Sequence, residues 1–299
     1  MATLYTQADS NVRKTWILLI LFLVFIISLG WFFSYLLETP VILWVSVFFS
    51  SLTAFLSFWY SDKIVLLISR AKLIEKRENP ELYRLVENLS ITAGLSLPKI
   101  YIINELQPNA FATGRDPKHA VIAITRGLLE KLERVELEGV LAHELAHIGN
   151  KDMLLGSVLV VLVGIVSMIS DYFLRLSRFG SRKRDSRDSG RPLLSIIGII
   201  AAILAPIAAT LIQLAISRKR EFLADATGAL LTRYPEGLAR ALEKISTDPS
   251  PLGVANNATH HLYIVSPLKG MESKNWIAKL FMTHPPIEER IKALRGMEV

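Results

Sequence analysis

Four stretches of this chain, residues 16–37, 41–60, 153–174 and 193–216, run for 20 to 24 residues with almost no Lys, Arg, Asp or Glu. At about 1.5 Å per residue, each would cross roughly 30 Å of hydrocarbon as a helix. An isolated segment in lipid can satisfy its backbone groups internally only as a helix. The stretches account for the 51% hydrophobic content and the mean hydropathy of +0.38. They predict a mainly α-helical chain with a multi-span helical membrane region.

The first stretch follows Arg13 and Lys14 and carries Trp16, Trp31 and Tyr35, and the second closes on Trp59 and Tyr60. Aromatic and basic residues at these places are interfacial anchors. Only Glu38, Thr39 and Pro40 separate the two, so residues 1–60 read as a transmembrane hairpin. The first stretch is too long for a cleaved signal and lacks a small-residue cleavage site, so it is expected to be retained. The later pair is interrupted by Asp171, Pro206 and Gln213. Residues 153–216 are expected to span as well, the alternative being a hydrophobic hairpin partly covered by protein.

Basic residues set the orientation. Arg13 and Lys14 precede the hairpin, the turn at Glu38 has none, and Lys63, Arg70, Lys72, Lys76 and Arg77 follow it. Both flanks are therefore expected in the cytoplasm, at the plasma membrane. The loop from Arg175 to Arg191 runs against this, with seven basic and two acidic residues. The net charge of +7 is explained by these membrane flanks and by anionic head groups. No recognition motif accompanies it, so a nucleic-acid partner is not expected. With no Cys in the chain, disulfides and thiolate ligands are excluded.

Residues 61–152 have the composition of a soluble domain. Asn79, Pro80 and Glu81 open a helix with Leu82, Leu85, Val86 and Leu89 on one face, and Gly94 and Pro98 end it. Lys99 to Ile103 and Ala120 to Ile124 read as strands of a small β-sheet. A short helix near 127–133 leads into a longer one. After the fourth stretch, residues 217–299 carry a helix that runs on towards Leu231 until Pro235, another over 237–245, and a last one after Pro285 and Pro286.

His143-Glu144-Leu145-Ala146-His147 spells H-E-x-x-H within a stretch of good helix formers. At helical pitch the two imidazoles lie roughly 40° and 6 Å apart, so both reach one ion, with Glu144 beside them to handle a proton. Zn²⁺ held this way is the minimal apparatus for hydrolysing a peptide bond. A tetrahedral site needs a third protein ligand. The extended H-E-x-x-H pattern with a third His is excluded, because Asn150 and Met153 follow at the relevant positions. Glu221 is favoured, since Asp225 falls one turn later on the same face and could accept the free N–H of a ligand His. Asp152, His260, His261 and His284 remain competitors.

These motifs bring the chain close to a known family. It resembles the HtpX-type membrane metallopeptidases, relatives of the prenyl-protein (CAAX) peptidases, along nearly its whole length. The resemblance rests on N-A-F-A-T-G at Asn109 to Gly114, H-E-L-A-H, S-R-x-R-E-F-x-A-D at Ser217 to Asp225, H-L-Y-I at His261 to Ile264 and T-H-P-P-I-E-E-R at Thr283 to Arg290. It implies a gluzincin-like zinc peptidase domain with Glu221 as third ligand of one Zn²⁺ per chain. It further implies that Asn109, Ala110, Phe111, Ala112 and Thr113 form an edge strand accepting an extended substrate backbone. His284 would stabilise the developing oxyanion, and Arg290 would orient the acidic residues behind the ligands. The expected function is a membrane-anchored zinc endopeptidase, with Glu144 as general base, clearing misfolded membrane and cytoplasmic proteins. The alternatives are a prenyl-protein peptidase and a non-catalytic zinc-stabilised membrane scaffold.

Overall fold

The computed structural model describes residues 4–180, 218–250, 253, 259–265 and 285–297. His284 and the fourth apolar stretch therefore lie outside the described residues, as do residues 181–191 of the expected loop from Arg175 to Arg191, whose first residues, up to Gly180, belong to a helix instead. Two long helices, α1 (Leu4–Leu36) and α2 (Val41–Ile68), form the expected hairpin. α2 continues eight residues past Tyr60, to Ile68. A third helix long and apolar enough to cross a membrane, within α6 (Asp152–Gly180), packs against both. Its most apolar window is 67% buried, compared with 28% in α1 and 17% in α2, so α6 is the inner helix of the three. Leu154, Leu155, Val158, Leu159 and Leu162 meet Leu18, Leu19, Phe22 and Ile26 across the α1–α6 interface.

Between the second and third spans lies the domain that carries the chemistry. α3 (Pro80–Ala93) is capped by Asn79, whose side chain accepts from the Leu82 N–H at 3.1 Å, and closed by Gly94 in the left-handed region at φ 66°. Four strands follow the order β1 (Lys72–Leu73), β2 (Lys99–Ile103), β4 (Val121–Thr125), β3 (Ala110–Thr113). β2 and β4 are parallel, and β3 runs antiparallel to β4 as an edge. Ile100, Ala112, Ile122 and Ile124 face the core under α3 and α5 (Arg134–Gly149). Ile103, Phe111, Val121 and Ala123 face the ends of the membrane helices at Val65, Leu66 and Val160. Burial on both faces explains why β4 reads as a continuous apolar run rather than an alternation.

α4 (Arg126–Lys131) leads into α5, which starts at a capping box between Glu133 and Glu136. Only Asn150 and Lys151 separate α5 from α6, with Lys151 at φ 55° making the turn. α7 (Arg218–Thr232) and α8 (Pro235–Thr247) pack along α5, and α9 (Ile287–Arg295) closes over α8 and α7. Gly228 allows the close approach of α7, because a Cβ there would stand 3.0 Å from the His143 backbone nitrogen.

Candidate active site

α5 and α7 bring three donors together. His143 and His147 turn their Nε2 atoms to face each other at 3.1 Å. Glu221, in the first turn of α7, places Oε1 3.7 Å from His147 Nε2 and Oε2 4.0 Å from His143 Nε2. Zn²⁺ at about 2.0–2.1 Å from each of four tetrahedral ligands keeps them about 3.3 Å apart. The triangle is of that size, slightly open on the carboxylate side, and its donor set of two imidazoles and one carboxylate suits such an ion. His143, His147 and Glu221 are the one group of three metal-ligating side chains among the described residues that meets within 4.8 Å.

The nitrogens on the far sides of the rings are held by acids. Asp225, one turn after Glu221, lies 2.9 Å from His143 Nδ1. Asp152 Oδ2 lies 3.0 Å from His147 Nδ1. Asp152, a competitor for the third ligand position from sequence, thus meets the outward nitrogen of His147 and not the metal side. Such carboxylate contacts fix the ring and its tautomer. Arg290, fully buried on α9, donates Nε to Asp225 Oδ2 at 2.8 Å and Nη2 to Oδ1 at 2.7 Å. Its Nη1 donates to the Ile264 carbonyl at 2.9 Å and stands 3.5 Å from Glu221 Oε2. One guanidinium therefore ties both acids of α7 to the backbone at 264. Burial alone would raise the Asp225 carboxyl, but the Arg290 charge beside it brings it down to about 2.

Glu144 is 2% exposed and lines the same cleft as Ala112, His143, His147, Glu221 and His261. Burial pushes its carboxyl up to about 7, with Glu221 adding to the shift and His147 and the Ala112 N–H opposing it. A carboxylate poised near neutrality is suited to taking and returning a proton. Burial disfavours charge on both ligand imidazoles. His143 is lowered by it, whereas at His147 the Asp152 contact and the Glu221 charge prevail and raise the ring to about 9. With its pKa raised to about 9, the His147 ring carries an extra proton at pH 7 without metal, and its Nε2 faces His143 Nε2 where a cation would sit. A metal ion must displace that proton. Binding is therefore expected to release about one proton near pH 7, and affinity to fall about tenfold per pH unit below 9 and level off above it. Calorimetry in buffers of different ionisation enthalpy checks this; no proton release at pH 7 would contradict it.

The expected edge strand is present, and its partners are now defined. In β3, odd-numbered residues turn their backbone groups to β4, as in the Thr125 N–H to Asn109 carbonyl bond at 2.9 Å. Even-numbered residues face outwards. Ala110 has its carbonyl taken by the Ile264 N–H at 3.1 Å. Asn109 donates Nδ2 to the Val265 carbonyl at 2.9 Å, Phe111 packs edge-on against Tyr263 at 5.2 Å, and Thr113 shares a 2.6 Å hydrogen bond with Ser157 of α6. Of the five residues expected to bind substrate, Ala112 alone lines the cleft, and its N–H reaches Glu144.

Sequence reasoning did not find the role of Asp152, the Ala112 contact to Glu144 or the need for Gly228. Asp152 offered a signal, an acid in the first turn of the helix following the motif. His261, which competed as a ligand, lines the cleft with Nε2 3.4 Å from the Gly156 carbonyl and is not part of the triangle.

Fold and donor set together define a membrane-integrated metallopeptidase. Residues 76–298 match peptidase family M48. A protease HtpX homolog of Dictyoglomus turgidum is 45% identical over 301 residues, covering 99% of this chain and 95% of that protein. Another, from Thermococcus kodakarensis, is 48% identical over 265 residues, covering 88% and 89%. Among solved structures, the crystal structure of S. mikatae Ste24p matches with a TM-score of 0.49 at 22% identity, covering 94% of this chain and 67% of that one. The chain belongs to peptidase family M48, as an HtpX-type protease.

Proposed function

We propose that this chain is a zinc endopeptidase that cleaves misfolded or damaged membrane and cytoplasmic polypeptides, with one Zn²⁺ per chain held by His143, His147 and Glu221. The observation that carries the reading is the metal-sized triangle of donors beside a buried carboxylate with a pKa near 7. A zinc ion bound there supplies Lewis acidity, acidifying water and polarising the scissile carbonyl. Glu144 takes the proton of the attacking water and delivers it to the leaving amine. Asp225 and Asp152 hold the ligand rings, and Arg290 holds Asp225. The substrate enters extended and pairs with the outer edge of β3 at Ala112, while Asn109, Ala110, Phe111 and Thr113 support that edge from behind. By the family resemblance, His284 stabilises the oxyanion.

We place the hairpin, the peptidase segments 61–152 and 217–299, and the hydrophobic segment 153–216 in one plasma-membrane protein whose peptidase faces the cytoplasm. The basic flanks of the hairpin support this orientation. Because the chain has no native Cys, single cysteines at 38 and 77 should label from opposite sides. Labelling of position 77 from outside the cell contradicts the orientation.

The detergent-purified full chain, stripped by a chelator and reloaded with Zn²⁺, should regain casein cleavage in proportion to zinc content, saturating at about one ion per chain. Cleavage without metal would overturn the reading. Zinc binding with no turnover would indicate a scaffold, and preferential cleavage of a farnesylated peptide a prenyl-protein peptidase.

A further inference from the structure

The first membrane helix reaches the metal-binding centre itself. Asn11, at the start of the span Asp9–Leu36, is 1% exposed. Its Nδ2 donates to Asp152 Oδ1 at 2.6 Å and to the Asn150 carbonyl at 3.0 Å. The other Asp152 oxygen meets His147 Nδ1 at 3.0 Å, and the far nitrogen of that ring is one corner of the donor triangle. Two contacts therefore join a membrane span to a metal ligand 136 residues further along the chain. α1 packs on α6, which Asp152 opens, and this docking brings the Asn11 amide to both the Asn150 carbonyl and the Asp152 carboxylate.

Arg220 of α7 gives that second bond a purpose. Its Nη1 lies 3.5 Å from Asp152 Oδ1, while its Nε and Nη2 are buried with no hydrogen-bond partner among the described residues. Buried guanidinium groups favour two-pronged pairing with a carboxylate. A rotation of Asp152 towards Arg220 would satisfy those atoms and withdraw the acceptor from His147. The Asn11 amide holds the carboxylate against this competitor.

We propose that Asn11 is a positioning residue for the metal-binding centre: it fixes the Asp152 carboxylate and, through it, the His147 ring. The amino-terminal span is then a working part of the peptidase as well as its anchor. The proposal rests on the reading of His143, His147 and Glu221 as ligands.

The test is zinc affinity of the full chain in detergent, measured by competition with a chromophoric chelator. Asn11→Ala leaves a gap and Asn11→Leu fills it, yet both remove the donor. Each should weaken zinc binding about tenfold, the lower end of what loss of a contact behind a ligand costs. With Asp152→Asn already in place, either change should add less than about twofold, since coupled residues are not additive. Thr15→Val, one turn further along α1, removes a buried hydroxyl that, among the described residues, bonds only the Asn11 carbonyl and should leave affinity unchanged. Four results overturn the proposal: unchanged affinity in both Asn11 variants, equal losses in the two backgrounds, an equal loss from Thr15→Val, or failure of both Asn11 variants to accumulate folded. If the parent chain binds no zinc, the ligand assignment itself has failed.

Discussion

Glu144→Gln is expected to keep its zinc and lose proteolysis, with kcat/KM falling by about 10² to 10⁴, the range for removing a positioned acid–base group. Gln matches the shape of Glu and can still accept from the Ala112 N–H, but it cannot take a proton from water. Because the carboxylate is buried and its pKa is raised by burial, its neutral replacement also relieves a desolvated charge, so folding should be preserved or improved. Zinc content by atomic emission and cleavage of a quenched fluorescent peptide separate the two effects. Turnover equal to the parent would remove Glu144 from the chemistry. Since a bound cation opposes the upward shift that burial gives this carboxyl, the acid limb of kcat/KM in the parent should lie below pH 7.

Arg290→Met is expected to be the most damaging single change to stability. It strips a buried carboxylate of two charge-assisted hydrogen bonds and leaves the Ile264 carbonyl without its donor. Breaking one side of a buried pair costs about 3–5 kcal/mol, because the remaining charge stays desolvated. The double variant Arg290→Met with Asp225→Asn should be milder than the single one in thermal unfolding, since no unpaired charge is left. Both should bind zinc less tightly, as His143 loses its fixed acceptor. A thermal midpoint for Arg290→Met equal to that of the parent would show that Asp225 finds another counter-charge.

The sequence made the local elements legible. Helix α3 begins and ends where Asn79 with Pro80 and Gly94 require, because capping depends on adjacent residues. The metal pair was legible for the same reason, as its geometry is set by five consecutive residues of one helix. The E-x-x-x-D spacing at Glu221 and Asp225 placed two acids on one face, and the structure puts both at the histidines. Contacts between distant segments left no such trace. Asn11 and Asp152 are 141 residues apart, and neither carries a local pattern that names the other. Residues 109–113 were expected to form an edge strand that accepts a substrate backbone. In the structure the Ala110 carbonyl is already taken by the Ile264 N–H, and of the five residues Ala112 alone lines the cleft, which spacing along the strand does not reveal.

The two-residue turn between α5 and α6 works as a ruler. His147 and Asp152 are five positions apart across the turn, so a proposed metal ligand lies 3.0 Å from the residue that opens an apolar helix long enough to cross a membrane. The proposed cutting point is thereby tied closely to the first turn of that apolar helix. An extended chain advances about 3.3–3.6 Å per residue. Under the proposed function, a substrate rooted in the same bilayer would be cut close to its own anchor, where an unravelled stump first leaves the lipid.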